Sequence, residues 1–157
     1  MGEAYFYHLT RSTLDETLPT LLDRARAAGW RVAVRGTDAA RLDRLDERLW
    51  LGEGFVPHGR AGGDHDADQP VLLTTAAETP GGPPNGAACL MAIDGAEVAP
   101  DEVRRLERVC IIFDGGDDAA LTVARRQWKD LTDAGCGAKY WSQETGSWAM
   151  KVEKPGA

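Results

Sequence analysis

Two acidic segments of this chain contain side chains that could bind a metal ion or a ligand. Asp64-His65-Asp66-Ala67-Asp68 crowds carboxylates around an imidazole, but no second cluster follows at a spacing that would complete a metal coordination geometry. Asp114-Gly-Gly-Asp-Asp118 follows an apolar run, where open α/β sheets place ligands, yet it brings acids where a phosphate needs donors. We interpret the first segment as a solvated loop and the second as a turn that caps a helix.

The remaining reactive side chains do not form a catalytic arrangement. The histidines and cysteines are His8, His58, His65, Cys89, Cys110 and Cys136. Three cysteines at irregular spacings fit neither a disulfide framework nor a zinc site, and no serine lies in a Gly-x-Ser-x-Gly motif. His58 could serve as a general base, but a hydrogen bond that fixes its turn is the favoured interpretation. The sequence therefore predicts no intrinsic catalysis, no metal and no cofactor.

One face of the last long predicted helix has a different character. Leu121, Arg125, Trp128 and Lys129 are spaced at i, i+4, i+7 and i+8 and so share that face. Cations bind carboxylates, arginine in a forked geometry, and an indole ring packs against an apolar group. This face therefore fits an acidic peptide with an apolar end. The alternative is that Trp128 belongs to the core and the charges only face solvent.

A second aromatic segment follows the second predicted helix. It runs from Arg48-Leu-Trp50 to Phe55-Val-Pro-His58-Gly59. Aromatic side chains exposed near the end of a helix suit the docking of another protein better than bond chemistry. We therefore predict a protein-docking surface at Trp50 and Phe55.

Strands and helices alternate along the chain and must position these side chains. Hydrophobic patterns predict strands at residues 4–9, 30–35, 71–74, 88–93 and 108–113, of which 88–93 and 108–113 are apolar enough to be central. Helices are predicted up to Gly29 and at residues 39–49, 100–107 and 119–134. The first has a Thr13–Glu16 capping box, and Pro19 places its regular start near Thr17. The alternation predicts one domain over residues 1–157, an α/β/α sandwich with a largely parallel sheet.

Composition limits the possible functions further. Residues 60–69 and 79–86 are predicted surface loops, and residues 149–157 a flexible C-terminal tail. The net charge of −7 argues against strong direct nucleic-acid binding, which needs surplus Lys and Arg. No stretch approaches the roughly 20 apolar residues that span a membrane, and the first residues lack a signal-peptide pattern, so we expect a cytoplasmic protein.

Several segments, in order and spacing, resemble the chi subunit family of bacterial DNA polymerase III. They include Gly29-Trp-Arg-Val, Leu45-Asp-Glu-Arg-Leu-Trp50 with Phe55-Val-Pro-His58, Pro84-Asn-Gly with Asp94, and Ala124-Arg-Arg-Gln-Trp-Lys129. The resemblance implies a non-catalytic accessory subunit of the replicase. Such a subunit couples the clamp loader to single-stranded DNA-binding protein by binding its acidic, Phe-ended C-terminal tail.

The resemblance also assigns residues to partners. Arg125, Trp128 and Lys129 match the family's tail pocket, with Leu121 where a basic residue is sometimes found. Trp50 and Phe55 match the positions that dock the psi subunit, so psi or an equivalent clamp-loader component is the expected second partner. The alternative is a small α/β enzyme or nucleotide-binding protein with its site at the strand ends near Asp94 and Asp114.

Overall fold

The chain folds around a sheet with helices on both faces. The computed structural model describes residues 2–51, 57–143 and 148–156. The strands are β1 (Glu3–Leu9), β2 (Val32–Gly36), β3 (Gly59–Arg60), β4 (Val71–Thr75), β5 (Cys89–Ala92), β6 (Arg108–Asp114), β7 (Gly137–Ser142) and β8 (Ala149–Lys154). The helices are α1 (Leu14–Ala27), α2 (Ala39–Leu51), α3 (Pro100–Arg105) and α4 (Asp118–Asp133), with a short 3-10 helix at Asp66–Asp68.

The sheet is parallel except at one edge. Its order over the described residues is β3-β4-β2-β5-β6-β1-β7-β8. Each neighbouring pair runs parallel apart from β7 and β8, which are antiparallel. The predicted class, an α/β domain with a largely parallel sheet, is confirmed. The strands expected to be central, β5 and β6, lie in the middle of the order and are buried along most of their length.

Two apolar cores lie on opposite faces of the sheet, because successive strand residues point to alternate sides. In β1, Tyr7 and Leu9 join the core beneath α1 and α2, whereas Ala4 and Phe6 join the core beneath α3 and α4. Burying both faces of a parallel sheet requires helices on each side, which the alternating sequence supplies.

Helix α1 begins earlier than its proline suggests. The Thr13–Glu16 capping box forms as expected, but the helix starts at Leu14 and contains Pro19, so a regular start near Thr17 is wrong. The capping hydrogen bonds satisfy the first turn. Burial of Leu18 and Leu22, both fully buried, stabilises the helix around the backbone donor that proline lacks.

The C-terminal segment is a strand. A flexible tail over residues 149–157 is predicted from sequence, and this is wrong for Ala149–Lys154, which form β8. Its register pairs Val152 with Tyr140 and Lys154 with Ala138 of β7. Most β8 side chains are exposed, and Met150 and Val152 alternate with charged residues over only four positions, which is a weak signal for a strand. Backbone pairing with β7 forms it instead.

The two predicted surface loops contain structural anchors. In the first, Arg60 belongs to β3 and is paired with Asp43 and Glu78. In the second, Asn85 is fully buried. Its Nδ2 donates to the carbonyl oxygens of Val32 at 3.1 Å and Gln69 at 3.0 Å. The Pro84-Asn-Gly motif therefore connects its loop to β2 and to the segment before β4.

A buried ion pair joins β2 to α3. The Nη1 and Nη2 atoms of Arg35 donate to the two carboxylate oxygens of Glu102 at 2.9 and 2.8 Å. The side chains are only 8% and 15% exposed. Glu102 also accepts from the backbone N–H of Ala99 at 3.0 Å and so caps α3.

Candidate partner-binding surface on helix α4

Helix α4 is held against the sheet by its cap and its buried face. Asp117 Oδ1 accepts from the backbone N–H groups of Ala119 at 2.9 Å and Ala120 at 3.3 Å, and Asp114 Oδ1 accepts from Gly116 N–H at 2.8 Å. The interpretation of this acidic segment as a turn and helix cap is confirmed. Further along, the buried Gln127 donates to the carbonyl of Ala96 at 2.9 Å, which fixes the rotation of the helix.

The rotation brings the four predicted tail-binding residues to one side of the helix. We call Leu121, Arg125, Trp128 and Lys129 the α4 flank. Leu121 and Trp128 are partly buried against the core, while Arg125 and Lys129 are exposed. The flank therefore combines apolar surface next to the sheet with cations farther out.

Trp128 has a structural role as well as an accessible part. Its ring contacts Phe6 edge-on with centroids 5.2 Å apart, and Tyr140 edge-on at 6.1 Å. Edge-to-face contacts of this kind stabilise aromatic clusters. Trp128 is thus partly buried and partly exposed, and its contacts with Phe6 and Tyr140 fix the orientation of its ring within the protein itself.

The two cations of the flank differ in their surroundings. Lys129 Nζ is paired with the carboxylate of Asp133 one turn along the helix. That hydrogen bond raises the pKa of Lys129 and lowers the pKa of Asp133. The Arg125 side chain makes no hydrogen bond or ion pair within the described residues, whereas its neighbour Arg126 is paired with Glu97 and Asp130. Arg125 is therefore the cation of the flank most available to a carboxylate.

Strand β7 contributes a residue that sequence reasoning missed. Tyr140 lies beside Trp128, and its hydroxyl is hydrogen-bonded to His8 Nδ1 at 2.8 Å. His8 in turn stacks on Phe113 with centroids 5.1 Å apart. No sequence spacing relates Tyr140 to α4, because the chain turns back between them.

The second predicted surface lies at the end of α2. Trp50 is 53% exposed and its ring centroid is 4.3 Å from that of His58. His58 is buried, and its Nε2 lies 3.1 Å from the carbonyl oxygen and 3.0 Å from the carboxylate of Asp46. The histidine therefore fixes the returning chain to α2, as expected of a structural hydrogen bond. Phe55 lies outside the described residues.

A cavity of about 560 Å³ lies at the carboxyl ends of β1, β5 and β6, where the alternative function would be located. Asp94, Asp114 and Asp117 line it. The guanidinium of Arg41, also in the lining, is engaged by Asp15 at 3.2 Å and Asp94 at 3.4 Å. Acidic walls with an already paired cation disfavour a phosphate group.

Among residues 2–51, 57–143 and 148–156, no group of three or more His, Cys, Asp or Glu side chains is placed to hold a metal ion. Within those ranges, no helix combines the length and apolar character needed to cross a membrane.

Comparison with known proteins gives a family match. A family model described as DNA polymerase III chi subunit, HolC, matches residues 1–139. The matched region contains α4 and its flank, and it ends just before Tyr140. No curated protein gives a significant match to the chain.

Proposed function

This chain belongs to the family of DNA polymerase III chi subunits, and on that basis we propose that it couples the clamp loader to single-stranded DNA-binding protein. In this proposal it is a non-catalytic accessory subunit of the cytoplasmic replicase. It binds the acidic C-terminal tail of single-stranded DNA-binding protein through the α4 flank.

The observation that carries the proposal is the placement of Arg125 beside Trp128. Arg125 is exposed, its side chain has no ion-pair partner among the described residues, and it lies one helical turn from the half-buried Trp128 on the same side of α4. A planar guanidinium can hold a carboxylate through two hydrogen bonds. The ring and Leu121 supply apolar surface for a terminal phenylalanine.

Lys129 has a smaller role in this proposal. An approaching carboxylate must compete with Asp133, which already holds the ammonium group. Leu121 contributes no charge, so the flank as a whole is only modestly positive. We therefore expect an affinity that depends strongly on Arg125 and on the apolar end of the tail.

Calorimetric titration with a peptide that copies the acidic tail tests the proposal. Arg125→Ala should weaken binding by about 1.5–3 kcal/mol, the range for losing a hydrogen bond to a charged group. Arg44→Ala is the matched control, because Arg44 is also exposed, lies on α2 on the other side of the sheet, and changes the net charge equally. Removing the terminal phenylalanine from the peptide should weaken binding to the unaltered chain.

If Arg125→Ala and Arg44→Ala weakened tail binding equally, the loss would reflect only the change in net charge. That result would contradict a tail-binding site at the α4 flank. Indifference to both Arg125→Ala and the phenylalanine deletion would also rule it out.

The proposed second partner is psi or an equivalent clamp-loader component, docked at the end of α2. Trp50 is half-exposed there and is followed by Leu51, which is 78% exposed. Two large apolar side chains exposed in sequence at a helix end are typical of a protein-docking surface. Phe55 is assigned to the same surface on sequence grounds.

A further inference from the structure

Strand β8 extends the sheet beside α4. Residues paired across antiparallel strands lie on the same face. Tyr140 faces α4, since it contacts Trp128, so its partner Val152 faces α4 as well. Val152 is 52% exposed, which leaves an apolar surface next to Tyr140.

The opposite face of the same strand provides a contrast. A bulge lies between Tyr140 and Trp141, and Met150 pairs with Trp141. Trp141 packs on Tyr5, with centroids 6.2 Å apart, in the core beneath α1 and α2. Met150, which is 45% exposed, therefore lies away from α4.

Positive charge borders the apolar surface. Lys154 pairs with Ala138, which belongs to the core beneath α4. This register places the Lys154 side chain on the face of the sheet that α4 covers. The pKa of Asp133 is lowered chiefly by Lys129, and the charge of Lys154 adds to this effect. We call Trp128, Tyr140, Val152 and Lys154 the α4–β8 shelf.

We propose that the α4–β8 shelf is a subsite for the acidic tail, in which Val152 and Tyr140 extend the apolar surface that Trp128 offers to the tail's apolar end, and Lys154 pairs with a tail carboxylate. The inference rests on the proposed function. The shelf is continuous with the α4 flank through Trp128, and its apolar surface next to a lysine complements an acidic peptide with an apolar end. The region matched to the family ends at residue 139, so β8 is a contribution from outside that match.

Charged substitutions on the two faces of β8 test the subsite. Val152→Asp and Met150→Asp each replace an exposed apolar residue of the same strand by one negative charge, on opposite faces of the sheet. Val152→Asp should weaken binding of a fluorescent tail peptide by roughly tenfold or more, since it removes apolar contact and repels carboxylates. Met150→Asp should change the affinity by less than about twofold, the effect of one remote, screened charge.

Lys154→Ala gives a second readout. It should weaken binding of the tail peptide by about threefold, as expected for an exposed ion pair. This loss of affinity should vanish at high salt, whereas the loss caused by Val152→Asp should persist. Circular dichroism checks that each variant folds. If Val152→Asp unfolds the chain, Val152→Ser replaces it, with a smaller expected loss of about threefold from the lost apolar area.

The outcomes separate this inference from the proposed function. If Arg125→Ala weakens binding of the tail peptide but Val152→Asp has no more effect than Met150→Asp, the subsite on the α4–β8 shelf is ruled out. The proposed site on the α4 flank is then retained. If the peptide does not bind the unaltered chain, the proposed function itself fails. Sedimentation of the variants detects a second copy of the chain on the shelf. A dimer dissociated by Val152→Asp, with tail binding unchanged, would also overturn the inference.

Discussion

Replacing Glu102 by alanine should destabilise the fold by about 3–5 kcal/mol, the cost of leaving a buried charge without its partner. Arg35 is 7% exposed, so water cannot replace the two hydrogen bonds that Glu102 accepts. Its Nε is already buried without a partner, and the substitution would leave Nη2 without its carboxylate as well. The same change removes the cap of α3 at Ala99.

The comparison with an apolar pair makes the test specific. The double variant Arg35→Met with Glu102→Leu should be far less destabilised than Glu102→Ala alone, because it removes both charges from the interior. Urea unfolding followed by circular dichroism measures both variants, and Glu102→Ala should lower the midpoint by roughly 2 M. A loss below about 1 kcal/mol in the single variant would refute the reasoning, since it would mean that the pair is effectively solvated.

Acid provides an independent check on the same pair. Burial raises the pKa of Glu102, but the hydrogen bonds from Arg35 and Ala99 lower it by more than burial raises it. The pKa of this carboxyl group therefore lies below its usual range. A depressed pKa in the folded state contributes stability above the unfolded value, which is lost as pH falls through the folded value. The difference between the unaltered chain and Glu102→Ala should therefore be full near neutral pH and shrink below the ordinary carboxyl pKa of 4.5.

Four further predictions concern the partners and one loop. Trp50→Ala should preserve cooperative urea unfolding yet abolish capture of the second clamp-loader partner; a loss of about 3–5 kcal/mol would instead mark Trp50 as core. Tail affinity measured by calorimetry should fall as salt rises, and single-stranded DNA alone should bind poorly because of the net charge of −7; tight DNA binding would contradict this. Asn85→Ala should cost about 1–3 kcal/mol in urea unfolding by orphaning the carbonyls of Val32 and Gln69; an unchanged midpoint would show that water replaces the amide.

The elements that sequence predicts correctly are those whose own residues carry the signal. The apolar runs of β5 and β6 are buried on both faces, and α4 has a capping aspartate and a helical repeat. In contrast, β7 mixes Lys139 with aromatics, and β8 is mostly exposed and charged. These two strands form through backbone pairing, β7 with both β1 and β8 and β8 with β7, which no local pattern encodes.

At the candidate site, too, the sequence predicts the features that local spacing encodes and misses those that depend on tertiary structure. Helical spacing is sufficient to place Arg125 and Trp128 on one side of α4. It does not reveal that Lys129 is paired with Asp133, although the i, i+4 spacing allows it. Nor does it reveal Tyr140 and Val152, which reach Trp128 only through the order of strands in the sheet. The protein-docking assignment at Phe55 stays a prediction.

The position of β8 at the end of the strand order also bears on solubility. An edge strand presents unpaired backbone N–H and C=O groups, which can recruit strands from other molecules and start aggregation. β8 is short and has Lys151, Glu153 and Lys154 among its exposed residues, and charged side chains on an edge strand disfavour the docking of a further strand. A chain ending at Trp148 would instead offer β7 as the edge, with Tyr140 and Trp141 beside bare backbone. The charged strand β8 thus disfavours association of the sheet edge with strands from other molecules.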